Sequence, residues 1–141
     1  MGLVVGEWRF PSGTAPGVAA IAEALARATG LEVRREGPGE DGALRVPALR
    51  ERLFDWRIDD ALVTVHGFVP AHPYLWEMLD AVMASLGGRV GEAVHLWRPD
   101  PAHAALRRPW QALTPAERVI LRMPTVGAWR PLDRLLARKA S

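Results

Sequence analysis

The segment that opens at Pro73 and closes at Gly87-Gly88 constrains the fold of this chain more than any other. Tyr74, Leu75, Met78, Leu79, Val82, Met83 and Leu86 recur three and four residues apart, with Glu77, Asp80 and Ser85 off the line they draw. That spacing predicts a helix with a broad apolar stripe. A stripe of this width has to be covered by a second layer, and the flanking sequence supplies strands to cover it.

Upstream, Leu53–Ile58 and Ala61–Val69 flank Asp59-Asp60, a compact turn signal, and read as an antiparallel hairpin. In the first arm Phe54, Trp56 and Ile58 share one face, and Leu53, Asp55 and Arg57 the other. The second arm is apolar on nearly both faces, which fits an inner strand beside an outer one. Leu3–Phe10 reads as a strand ended by Pro11-Ser12-Gly13. Val18, Ile21, Ala22, Leu25 and Ala28 then mark an amphipathic helix from about Pro16, with Thr14 as a candidate cap and Gly30 where a left-handed C-cap needs glycine. Leu31 and Val33 start another strand, Gly37–Gly42 is a loop, and Ala43–Val46 is a short strand. A last strand covers Arg89–Trp97.

The order through residue 97 is therefore strand, helix, several strands, helix, strand. It predicts an α+β domain with a mainly antiparallel sheet and two helices on one face. The order resembles a ferredoxin-like sandwich with an inserted strand or hairpin. Beyond Pro99-Asp100-Pro101 the chain turns helical. Thr114-Pro115-Ala116-Glu117 is a capping box with proline at the first helical position, Pro124 stops that helix near Met123, and a second helix runs from about Ala128 or Pro131 to Lys139. The expected organisation is a sandwich body over residues 1–98 and a helical extension over 99–141 packed on it, one domain in all.

Charge follows the same division. Residues 1–100 carry ten basic and fourteen acidic side chains, a net −4, whereas residues 101–141 carry eight and two, a net +6. Of the 18 basic residues only Lys139 is lysine. The extension is thus a basic element that can dock on the acidic body or meet an acidic partner outside it. Cysteine is absent, which excludes disulfides, thiolate metal sites and a cysteine nucleophile. No apolar run approaches the roughly 20 residues a membrane span needs. With no signal-peptide pattern at Met1–Phe10, a cytoplasmic location is expected.

Few residues suggest chemistry. His66, His72 and His95 lie around the hairpin exit and the last strand, and with Glu92 or Asp100 could bind zinc or serve as acid and base, although their spacing fits no metal motif. His72, just before Pro73, reads better as a helix-cap residue. Pro11–Gly17 lacks every phosphate-loop fingerprint. Leu113-Thr114-Pro115-Ala116-Glu117-Arg118 resembles the opening of the DNA-reading helix-turn-helix domain of response regulators and sigma factors. That resemblance would imply DNA binding, but it covers six to ten residues, Pro124 interrupts the helical stretch after it, and the capping box explains the same letters.

Six tryptophans stand against one tyrosine, and Trp97, Trp110 and Trp129 sit at element ends beside Arg98, Arg107, Arg108 and Arg130. Tryptophan and arginine are enriched at binding hot spots. The competing role for these indoles is to knit the extension to the body under stacked arginines. Trp76, off the main stripe, is expected to be partly exposed. These residues point to a non-catalytic protein-binding module of the inhibitor, immunity or adaptor kind. Its candidate binding residues are Trp97, Arg98, Arg107, Arg108, Trp110, Trp129 and Arg130. The partner is another protein, acidic in character, with no cofactor, metal or membrane. One alternative is a small-ligand-binding protein or enzyme using His66, His72 and His95. The other is nucleic-acid binding through the basic C-terminal helices.

Overall fold

A computed structural model of the chain describes residues 3–36, 43–49, 51–68, 72–123 and 130–140. Six strands, β1 (Leu3–Arg9), β2 (Arg34–Glu36), β3 (Ala43–Val46), β4 (Glu51–Ile58), β5 (Leu62–Phe68) and β6 (Arg89–Val90), form one sheet in the order β2-β3-β4-β5-β1-β6. Every pairing is antiparallel. Helices α1 (Val18–Thr29) and α2 (Pro73–Ser85) make the two crossovers. The four strands β4-β5-β1-β6 have the ferredoxin-like order, and the β2–β3 hairpin is the insertion, lying beyond β4. The α+β class and the antiparallel sheet match the sequence expectation.

Side-chain alternation places α1 and α2 on one face. Trp8 and Val63, partners across β1 and β5, are both fully buried, as is Val65 opposite Gly6. Trp76 of α2 lies over this face: a Cβ at Gly6 would come within 2.6 Å of its ring and one at Gly67 within 2.7 Å. The two glycines let the indole settle onto the sheet backbone, where it stacks with Trp8 at 6.4 Å and meets Trp97 at 5.5 Å. Trp76 is therefore fully buried, not partly exposed. Its Nε1–H has no hydrogen-bond partner among the described residues, a polar group given up to the packing of three indoles.

The C-terminal region adds a third layer on the far side of α2. It comprises a 3-10 helix at Pro101–Leu106, a second at Trp110–Ala112, then α3 (Pro115–Leu121) and α4 (Arg130–Ala140). Leu106, Trp110, Leu113, Leu121, Leu132 and Leu136 join the same apolar core as the body. With the sheet on one side and this layer on the other, Pro73 through Asp80 are all buried. An expected one-sided stripe is thus a helix covered nearly all round. Leu86, the last member of the stripe, falls past the end of α2 and is 37% exposed.

Local signals hold where the chemistry is local. Gly30 caps α1 at φ 72°, and Thr114 and Glu117 form the reciprocal capping box of α3. Three expectations are corrected. Gly17, not Thr14, is the N-cap of α1; the Thr14 hydroxyl donates instead to the Pro11 carbonyl at 2.6 Å. Strand β2 begins at Arg34, because Leu31 and Val33 are spent against the core. The strand expected over Arg89–Trp97 survives only at Arg89–Val90. Gly91 N–H donates to Glu7 O, the chain turns outward, and Trp97 N–H returns to Val5 O. The excursion leaves Val94 95% exposed.

Candidate functional site

Most of the tryptophans and arginines singled out in the C-terminal region are engaged inside the chain. Arg107 reaches α2, its Nε 3.2 Å from Glu77 Oε1 and its Nη2 2.8 Å from Asp80 Oδ2. Asp80 Oδ1 also accepts from Trp8 Nε1 at 2.8 Å, so one carboxylate joins β1, α2 and the third layer. Glu77 Oε2 accepts from Asp100 N–H at 3.1 Å. Burial pushes the Glu77 carboxyl above the ordinary range, against the pull of the Asp100 N–H and the Arg107 guanidinium.

Arg108 donates to Glu117, which is fully buried, at 2.8 Å and to the carbonyls of Ala105 and Ala112. Its own carbonyl accepts from Tyr74 Oη at 2.7 Å, and burial pushes that phenol well above its usual value. Trp110 is 2% exposed, edge-on to Tyr74 at 5.2 Å, with Arg122 over its ring at 5.4 Å. Trp97 is half-buried in the indole trio, and Arg98 is exposed and donates to the Glu92 carbonyl. Trp129 lies outside the described residues, and Arg130 begins α4. The extension therefore docks on α2 by charge as well as by apolar packing: Arg107 meets Glu77 and Asp80, the carboxylates that sequence reading had placed off the stripe, while Arg108 pairs with Glu117 inside the extension.

The histidines separate. His72 is buried at the N-terminus of α2, where Nδ1 accepts from Leu75 N–H at 3.4 Å. Its Nε2 lies 2.9 Å from the Leu121 carbonyl, which can only accept, so Nε2 carries the proton. Burial pushes this imidazole down to about 4. His66 pairs with Val5 and Phe54 in the sheet, on the alternation that points away from α2. His95 is exposed in the turn before Trp97. No group of three or more metal-ligating side chains occurs among the described residues.

The surface that sequence reading missed is the sheet face opposite the helices. Alternation puts Val5, Glu7 and Arg9 of β1, Leu62, Thr64 and His66 of β5, and Arg57 of β4 on it. Cross-strand register adds Arg89 opposite Arg9, and sets Arg34 opposite Arg45. Arg9, Arg34, Arg45, Arg57 and Arg89 are all exposed. Acidic groups are interleaved: Glu7 lies 3.1 Å from Arg9, Glu36 3.5 Å from Arg45, and Glu32 2.8 Å from Arg34, whose guanidinium it holds the more firmly protonated. Arg57 and Arg89 make no ion pair among the described residues. A shallow groove of about 330 Å³ opens beside β6, lined by Glu7, Arg9, Arg89, Val90, Gly91, Glu92 and Ala93. The signal was present as arginines on alternating positions, but only strand register reveals which of them stand in rows.

Fold and surface together define an α+β sandwich with a basic, carboxylate-studded open sheet. No protein-family model matches the chain, and neither a curated protein nor a solved structure matches it. No helix among the described residues is long and apolar enough to cross a membrane.

Proposed function

We propose that the chain is a non-catalytic protein-binding module, of the inhibitor, immunity or adaptor kind, working in the cytoplasm on an acidic protein partner. The observation that carries this reading is the open sheet face, where Arg9, Arg45, Arg57 and Arg89 are exposed on four different strands. Arginine suits this task because its planar fork takes carboxylates two hydrogen bonds at a time. Arg107, Arg108 and Trp110 serve the same end indirectly, by fastening the extension behind α2, away from the open face. Arg98 is exposed and donates to the carbonyl of Glu92, one of the groove's lining residues.

A protein partner fits better than a nucleic acid for two reasons. Glu7, Glu32 and Glu36 sit among the arginines and would repel a continuous line of phosphates. The whole chain is only +2, and its positive excess lies in residues 101–141 while the sheet-forming first hundred residues are net −4, so the positive field a polyanion would follow is weak at this face.

The test is an affinity capture from the native source with the intact chain, followed by calorimetry on the partner identified. The paired reversal Arg45→Glu/Arg57→Glu should weaken that partner's binding at least tenfold and leave the thermal melt unchanged. Equal binding by wild type and variant would overturn the assignment to this face. Tight, salt-sensitive retention of nucleic acid in place of a protein would overturn the partner class.

A further inference from the structure

We infer that the groove beside β6 is a socket for a single carboxylate side chain of the partner, gripped between Arg9 and Arg89; this rests on the reading of the open face as the partner surface. Arg9 and Arg89 are direct cross-strand partners. Like charges placed opposite each other in a sheet oppose strand pairing. Here the two cations face each other at the first residue of β6, both exposed. An anion between the two guanidinium groups turns that repulsion into a clamp.

The groove has the size and chemistry for one such group. Its volume of about 330 Å³ is ample for a carboxylate side chain. Arg9 gives one edge of its guanidinium to Glu7 at 3.1 Å and is 70% exposed, so donors remain for a second carboxylate. Arg89 has no ion-pair partner among the described residues and supplies the opposing fork. Glu7 and Glu92 also line the groove. They make it selective: a lone carboxylate held by both arginines is accepted, whereas a run of anionic charges must bring its neighbours against these two acids. The floor is fixed by sterics. A Cβ at Gly91 would lie 2.7 Å from Leu96 Cδ1 and 3.1 Å from Glu7 Oε1, so glycine there lets the chain turn away and leaves the groove open.

The test is an NMR titration of the intact chain that follows the arginine side-chain Nε–Hε signals. The probe is a short peptide with one glutamate among serines and glycines, and the comparison arms are its glutamine counterpart and a thymidine oligonucleotide. The expected result is saturable movement of the Arg9 and Arg89 signals with the glutamate peptide alone. Arg89→Lys, which keeps the charge but loses the fork, should weaken that binding several-fold. Binding to the acidic protein partner should fall at least tenfold in Arg89→Glu.

Equal response to the glutamine peptide, or response only to the oligonucleotide, overturns the socket. If Arg89→Glu binds the partner as wild type does while Arg45→Glu/Arg57→Glu does not, the socket fails and the face stands. If neither variant alters partner binding, both fall.

Discussion

The indole of Trp76 fills the space that a side chain at Gly67 would need, its Cζ2 lying 2.7 Å from where a Cβ would stand. The obstruction is a rigid ring, fully buried beneath α2 and unable to swing aside. Gly67→Ala should therefore destabilise the protein by about 1–3 kcal/mol, the usual range for overpacking a filled core. Urea denaturation measures it, and tryptophan emission should change as the indole trio shifts. A neutral or stabilising result would mean that the indole does not rest on the sheet.

Arg107 holds two carboxylates that are almost out of water, Glu77 with 2% and Asp80 with 11% of their side chains exposed. Arg107→Ala leaves both without their cation. Complete burial of a broken pair costs about 3–5 kcal/mol; with Arg107 one-third exposed, about 2–3 kcal/mol is expected. The loss should shrink at low pH, where Glu77, already pushed upward by burial, takes up a proton and no longer needs the guanidinium. Denaturation of the variant at neutral and acid pH tests both statements.

His72 should make the fold acid-sensitive. Its imidazole titrates near 6.5 in the unfolded chain and near 4 in the fold, so between those values the unfolded state binds more protons. Its contribution is fully present above pH 6.5 and is lost as pH falls toward 4, amounting to about 3 kcal/mol. The cause is burial, which disfavours the charged imidazolium; the Nε2–H bond to the Leu121 carbonyl pulls the other way and is outweighed. Comparing stability at pH 7 and pH 4 in wild type and His72→Asn, which retains a capping oxygen, isolates this component. The pH 4 loss should be smaller in the variant.

Within the stripe that defines α2, position decides consequence. Leu79 is fully buried, and Leu79→Ala should cost about 2–5 kcal/mol. Leu86 is 37% exposed beyond the helix end, and Leu86→Ala should cost less than about 1 kcal/mol. Chemical denaturation of the two variants side by side checks the contrast.

What the sequence determined by itself is what short-range chemistry controls. The Thr114–Glu117 box, the left-handed Gly30 and the turn at Asp59-Asp60 each act within a few residues, so they could be read in order along the chain. Hydrophobic periodicity gave the helices and the antiparallel class of the sheet for the same reason. Tertiary structure decided everything that depends on which elements meet. Periodicity marks one apolar face of α2, but only a third layer behind it explains why Glu77 and Asp80 are buried, because their partner Arg107 is thirty and twenty-seven residues away. The candidate surface was hidden likewise. An arginine on an alternating strand looks like any solvated charge until register sets Arg9 against Arg89 and Arg34 against Arg45. Register is fixed by the burial of the opposite face, where Trp8 meets Val63 and Trp76 settles on Gly6 and Gly67, and that packing exists only once the chain has folded.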